Sequence, residues 1–440
     1  MALSKTDILL IQKEQYGVLQ YQQTKSDPVM DFLEDTSEYS KYAWNLEGRN
    51  WNIPCIISQS QSFGFIPEDG YLYDPGKPVI ANMVIPGRIH NYSFDATLLA
   101  MEDTQGKNAA FIRATELQME NAISLTRAEL GRVIHGNGSG LIAQVNGAVA
   151  IAGTTVLVDN PGGVISTIGG CQYIRSSVVL AVYDAANVAL LGQITVTNVP
   201  ESTLGNTLTI VGALFAIPDN ANLYHANSQL NTSATKGTAK DIEAMGLRGM
   251  VNNAAGFGTY FGISRTLSPQ MSATVFSAVG TLTNDLMEKA FSSVRMRGDN
   301  PTLSPDKVKF ICEESVQRAY LAINEAQMRF TGPYVGTRDA GSVSMAGKAH
   351  NTIGGFEIIA SRNAPYGEAV ILNVDGFSRV GRDPKWDETQ SMFKQKTDGG
   401  FRTLGYVADQ VGRVNFYHTK PRSCVRLSGV TVNQFYVQSQ

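Results

Sequence analysis

Apolar positions along this chain change their period several times, and each change predicts a new element. The clearest helical stretch covers residues 106–135. There Ile112, Met119, Ile123, Leu130 and Ile134 follow at intervals of 7, 4, 7 and 4 and share one helix face. About thirty residues at ~1.5 Å each would reach roughly 45 Å. The helix is expected to stop at Gly136, Gly138 and Gly140, in a Gly-Asn-Gly-Ser-Gly run whose glycines accept left-handed backbone. Upstream, residues 51–101 carry five prolines and four glycines, which forbid a continuous helix. A long hairpin is predicted instead, with turns at Glu68-Asp69-Gly70 and at Asp74-Pro75-Gly76-Lys77-Pro78, followed by a β-prone run over 78–85.

Beyond the glycine run the pattern becomes short β-like segments at 149–158, 178–183, 194–199 and 207–214, separated by Gly, Asn and Pro. Such spacing predicts a compact β sandwich or barrel. It holds almost no charge, so its outer faces must be made from Thr, Ser and Asn. From there helix and strand alternate. A helix over 282–294 should be capped near Thr281 and ended by Gly298, and 308–312 reads as a strand. Residues 313–328 form an amphipathic helix with Val316, Tyr320 and Ile323 inward. Strands follow at 356–360, 369–374, 401–407, 413–418 and 424–432. The sum is an α+β chain with an all-β insertion. Residues 1–50 mix charge with Tyr16, Tyr21, Tyr39, Tyr42 and Trp44 and read as an extended arm lying on neighbours.

Composition narrows the function classes. The 440 residues exceed what one core usually holds. With 43% hydrophobic and only 17% charged residues, the surface suits contact with other protein, and a formal net charge of -3 argues against a dedicated nucleic-acid binder. Cys55, Cys171, Cys312 and Cys424 lie far apart and are expected to be reduced, buried thiols. The opening apolar run, residues 8–11, is too short for a signal peptide, and no run approaches about 18 apolar residues. Folding in the cytoplasm without a membrane partner is expected.

Candidate chemistry is sparse. The glycine run lacks the Lys-Ser or Lys-Thr of a phosphate loop and misses the G-x-S-x-G elbow at Asn137 and Leu141. Gly256-Phe257-Gly258 with Gly262 follows no buried strand. His90, His135, His225, His350 and His418 are dispersed, without metal-ligand spacing. Glu313-Glu314 suits a helix start. No catalytic, cofactor-binding or metal-binding residue is therefore assigned, and no enzyme is expected. The residues placed to meet another subunit are those of the loop: Glu68, Asp69, Tyr71, Tyr73, Asp74 and Lys77.

The order of parts resembles the major capsid proteins of tailed bacteriophages, the Hong Kong ninety-seven fold. The resemblance is carried by 114–123 (Ala-Thr-Glu-Leu-Gln-Met-Glu-Asn-Ala-Ile) leading to the glycine run, and by Val308-Lys309-Phe310-Ile311-Cys312 with its following helix. It continues in 352–359, 368–377 and 401–432. It implies a fold with an N-arm at 1–50, the P-domain start and E-loop at 51–104, and a long spine helix of the P-domain at 105–140. An inserted β domain follows at 141–235, then an A-domain at 236–384, P-domain strands at 385–432 and a tail at 433–440. The family implies self-assembly into pentamers and hexamers of an icosahedral head around double-stranded DNA, bound without sequence specificity. Portal, scaffolding and decoration proteins would be partners, the virion capsid the location, and the host cytoplasm the place of assembly. Some relatives join subunits by a Lys–Asn isopeptide bond, and Lys77 lies in the corresponding loop. No acceptor Asn or acid catalyst can be assigned, so no such bond is expected. The alternatives are a non-viral nanocompartment shell and a hydrolase or carbohydrate-binding protein whose β module binds substrate.

Overall fold

The computed structural model describes residues 27–30, 50–60, 63–73, 76–97, 123–200, 205–226, 238–297, 307–328, 352–353, 356–386, 394–398 and 401–432. The expected N-arm, apart from residues 27–30 and Asn50, and the first part of the long helix, 106–122, lie outside them, as do Asp74, Gly298 and His350. Two compact units emerge. One comprises Met1–Arg49, Gly87–Gly131 and Arg379–Asn415; the other comprises Asn50–Pro86, Arg132–Ser378 and Phe416–Gln440.

Strands β1 (Asn50–Ser58) and β2 (Val79–Pro86) pair antiparallel, from Asn50 opposite Pro86 to Ser58 opposite Val79. Strand β3 (Arg88–Thr97) pairs along its length with a much longer strand near the C-terminus. Helix α1 (residues 123–135) then leads into the glycine run. Its buried positions are Ala128, Arg132, Val133, Ile134 and His135, whereas Ile123 is 43% exposed. Of the residues expected to share one face, Ile134 is thus buried and Ile123 exposed, since burial concentrates at the helix C-terminus.

Six strands follow: β4 (Leu141–Val145), β5 (Thr155–Asp159), β6 (Val179–Tyr183), β7 (Leu190–Asn198), β8 (Thr207–Ile210) and β9 (Asn222–His225). They close a barrel in the order β4-β5-β8-β7-β6-β9. Inward positions alternate along β5, β6, β7 and β8, β4 carries a register irregularity, and Ile142, Val145, Val156, Val158, Leu180, Val182, Ile194, Val196, Leu208 and Leu223 fill the interior. The predicted 149–158 segment is shorter as a strand because Ala152 turns the chain at φ 66 just before Gly153. Closure leaves no free edge, so a barrel with a polar exterior needs little charge to stay apart from other sheets.

Past the barrel come the single turn α2 (Leu247–Met250), the short hairpin β10 (Thr259–Tyr260) and β11 (Ile263–Ser264), and β12 (Thr274–Phe276). Helix α3 (Asn284–Arg297) is capped by Thr283, whose hydroxyl accepts from the Leu286 N–H at 3.3 Å. The expected cap at Thr281 is thus two residues early. Strand β13 (Val308–Cys312), helix α4 (Glu314–Met328), β14 (Thr352–Ile353), β15 (Phe356–Ala360) and β16 (Glu368–Asn373) complete most of a mixed sheet. Strands β17 (Phe377–Trp386), β18 (Lys394–Asp398), β19 (Phe401–His418) and β20 (Val425–Ser428) end the described chain.

The mixed sheet has the order β12-β20-β16-β13-β15-β14. Its central strands β13 and β16 are buried throughout, as mostly apolar strands covered on both faces should be, with Lys309, Glu368 and Asn373 as their buried polar positions. Phe310, Val316, Phe291, Val294, Ile371 and Leu427 belong to the core that α3 and α4 build with it. The second sheet has the order β17-β19-β18, with β3 also on β19. The two runs read at 401–407 and 413–418 are one strand, since Gly412 pairs within the β3 ladder instead of breaking it.

Candidate assembly surface

The two faces of the β1–β2 hairpin are unequally covered. Trp51, Ile53 and Cys55 oppose Ile85, Met83 and Ala81, and at the base Met83 and Ile85 are fully buried. The other face pairs Asn52 with Val84, Pro54 with Asn82 and Ile56 with Ile80; Ile56 and Ile80 are more than half exposed. The base is fastened by the Val84 N–H, which donates to the Phe261 carbonyl at 3.0 Å. Phe261 and Gly262 form the two-residue β10–β11 turn, with φ of 45 and 90, as tight hairpins require.

Past the strands the apolar side chains have no cover. Phe63 is 82% exposed, Phe65 91%, Tyr71 97% and Leu72 83%, with Ile66 and Tyr73 also in water. Phe63 and Phe65 meet edge to face, ring centroids 5.8 Å apart, and the Tyr73 ring lies so close to Gly64 that a side chain there would collide with it. The Gly70 N–H donates to the Pro67 carbonyl at 2.9 Å, so the turn at Glu68 and Asp69 forms where the Glu-Asp-Gly signal puts it. Glu68, Asp69, Tyr71, Tyr73 and Lys77 are therefore gathered on one exposed loop. Sequence reasoning named its charges and tyrosines but missed Phe63, Phe65, Ile66 and Leu72. Their signal was available: four large apolar residues in a Pro/Gly-punctuated stretch with no period that could bury them.

At the end of α1, Gly138 and Gly140 adopt φ of 85 and 76, while Gly136 closes the last turn by donating to the Val133 carbonyl at 3.0 Å. Asn137 Oδ1 accepts from the Ser139 N–H at 3.0 Å and from its hydroxyl at 2.6 Å, fixing the turn without any ligand. A cavity of about 10 Å³ beside it, lined by Arg132, His135, Asn137, Tyr173 and Glu243, has room for one water.

Chemistry-bearing residues elsewhere are occupied with structure. His418 is fully buried: the Lys420 N–H donates to its Nδ1 at 2.9 Å, which leaves Nε2 to donate to the Asn373 carbonyl at 2.7 Å. Burial lowers its pKa to about 4. Cys171 and Cys424 are buried and pushed up to about 12, and burial raises Cys312 as well. Cys55, expected to be buried, is only half covered because it sits on the hairpin. Glu313 accepts from the N–H of Ser315 at 2.7 Å at the start of α4, and Glu314 pairs with Arg318 one turn on. Among the described residues, no three His, Cys, Asp or Glu side chains gather as a metal site, and no helix is long and apolar enough to cross a membrane.

No family model matches the chain, and no curated protein matches its sequence. Its fold does have solved counterparts. The capsid protein in the Cyanophage A-1(L) capsid asymmetric unit superposes with a TM-score of 0.54 at 9% identity, covering 95% of this chain and 96% of that one. The capsid of an empty GTA particle gives 0.48 at 11% identity, covering 98% and 99%. The capsid of Myoviridae Phage XM1 gives 0.42 at 8%, covering 94% and 96%. At such identities only fold is compared, and the A-1(L) match carries that comparison across nearly the whole of both chains. With its α+β mixture, long ladder and exposed hairpin, this chain has the fold of a phage capsid protein.

Proposed function

We propose that the chain is the major capsid protein of a tailed phage, a subunit that assembles with its own copies into pentamers and hexamers of an icosahedral head enclosing double-stranded DNA. The observation that carries this reading is the hairpin tip. Four large apolar side chains, each more than four-fifths exposed, stand together in a chain with a capsid fold. Apolar surface of that kind marks a place another protein covers. In this reading 1–50 is the N-arm, 51–104 the P-domain start and E-loop, and 105–140 the spine helix. The barrel is the insertion at 141–235, and the mixed sheet lies in the A-domain at 236–384 except for β20, which the 385–432 segment lends to it. Residues 385–432 return to the P-domain, and 433–440 form the tail. Portal, scaffolding and decoration proteins are further partners of such a shell, which forms in the host cytoplasm and ends in the virion. The work is structural, not catalytic.

Negative-stain electron microscopy with light-scattering mass tests it, comparing the full chain with one lacking residues 63–73. Closed shells or rings of five or six are expected from the full chain, and small soluble species from the deletion. A full chain that stays monomeric or dimeric at high concentration, with a scaffolding partner supplied, rejects the proposal.

A further inference from the structure

The barrel and the mixed sheet belong to one compact unit, and the seam between them is polar and buried. Gln172, 3% exposed, donates from Nε2 to the carbonyls of Arg362 at 2.7 Å and Ala364 at 2.8 Å. The neighbouring Tyr173 hydroxyl donates to the Asn363 carbonyl at 2.7 Å. Three successive carbonyls of the 361–366 loop thus accept from two successive side chains of the barrel. Gly169 completes the fit: the Tyr366 ring fills the space its side chain would need.

A second attachment passes through Arg248 of α2. Its guanidinium donates to the carbonyls of Gly162, at 2.6 Å, and Gly163 on the barrel. Its Nε faces the buried Glu368 carboxylate of β16 at 3.6 Å. Glu368 lies equally far from Arg426 Nε on β20. A third set holds the two points where the chain enters and leaves the barrel. Arg132 pairs with Glu243, and the Asp241 N–H donates to the Ser139 carbonyl at 2.7 Å. Lys240 Nζ donates to the Asn187 carbonyl at 2.5 Å and lies 4.6 Å from the centre of the Tyr183 ring.

From these contacts we infer that the barrel is a fixed strut of the body, locked by Gln172 and Tyr173 on the 361–366 loop and by Arg248 on the Gly162 and Gly163 carbonyls, and not an appendage swinging on its connections. The physical reason is that a buried carbonyl is costly to leave without its donor. Lifting the barrel would strip several at once. The barrel therefore presents its outer surface in one orientation, and the 361–366 loop depends on it for order. This holds whether or not the chain builds a shell.

Hydrogen–deuterium exchange on the full chain tests the lock. Tyr173→Phe and Arg248→Lys each remove seam bonds while keeping ring or charge, and Ile165→Ser, at a barrel residue 91% exposed, is the control. Amides of 361–366 and 160–174 should exchange about ten-fold faster in both seam variants, the factor for one lost buried hydrogen bond. Strands β6 and β7 should keep their protection, which also shows that the barrel remains folded, and the control should change nothing. Unchanged exchange at 361–366 in both variants overturns the inference. So does faster exchange confined to the barrel side.

Discussion

Replacing Phe65 by Ser separates assembly from folding more cleanly than any other single change. The ring is 91% exposed and Phe63, its edge-to-face neighbour, 82%, so neither contributes to the core of its own subunit. Exposed positions away from special backbone shift stability by no more than about 0.5 kcal/mol. The subunit should melt within a degree or two of the parent. In a shell the ring would be covered by another copy. If about half of its ~200 Å² becomes buried, at ~25 cal/mol per Å², each contact loses about 2.5 kcal/mol, close to a hundred-fold in association. Ordering of the loop on docking reduces that figure, so a rise of ten- to hundred-fold in the concentration at which particles appear is expected. Sedimentation of a dilution series measures that concentration, and calorimetry of the unassembled subunit supplies the melt. Particles forming at the parental concentration would refute the argument. A melting loss of many degrees would refute its premise, since it would mean that Phe65 belongs to a core.

Other consequences concern the fold. Because burial lowers His418 from 6.5 to about 4, the unfolded chain binds a proton that the folded chain refuses; stability is complete above pH 6.5 and falls as pH drops towards 4. The loss amounts to about 3 kcal/mol, and urea melts across that window should show a slope that His418→Gln removes. Gly140→Ala meets both a φ of 76 and the Ala239 carbonyl, whereas Gly147→Ala meets a φ of 91 in open space. Thermal melts should show about 2–3 kcal/mol lost for the first and about 1 kcal/mol for the second; equal losses would mean that the close approach is not real. Thr283→Ala should cost about 1 kcal/mol through the cap of α3 and Thr281→Ala almost nothing, and the reverse order in chemical denaturation would move the cap back to Thr281.

Local signals carried a good part of this protein. The Pro and Gly punctuation of 51–101 excluded a helix, and a hairpin stands between β1 and β2. The run at 308–312 read as a strand and the apolar run at 369–374 as a buried one, and they are β13 and β16. These features depend on backbone freedom and side-chain periodicity within a few residues, and the sequence states both directly. Other features were decided by distant partners. β4 and β9 are short and carry little pattern, and they become strands because closing the barrel supplies each with two neighbours. The 412 glycine looks like a break until β3 pairs across it. Phe63, Phe65 and Leu72 stand in a Pro/Gly-punctuated stretch without a burying period, and the folded chain shows how far that goes: each is more than four-fifths exposed. Gln172 and Tyr173 carry no sequence signal at all, because their acceptors lie about 190 residues away. The sequence by itself determined where the chain bends and where strands are buried. Tertiary structure decided which apolar groups stay in water and which polar groups meet, since burial is a property of the whole packing and not of any segment.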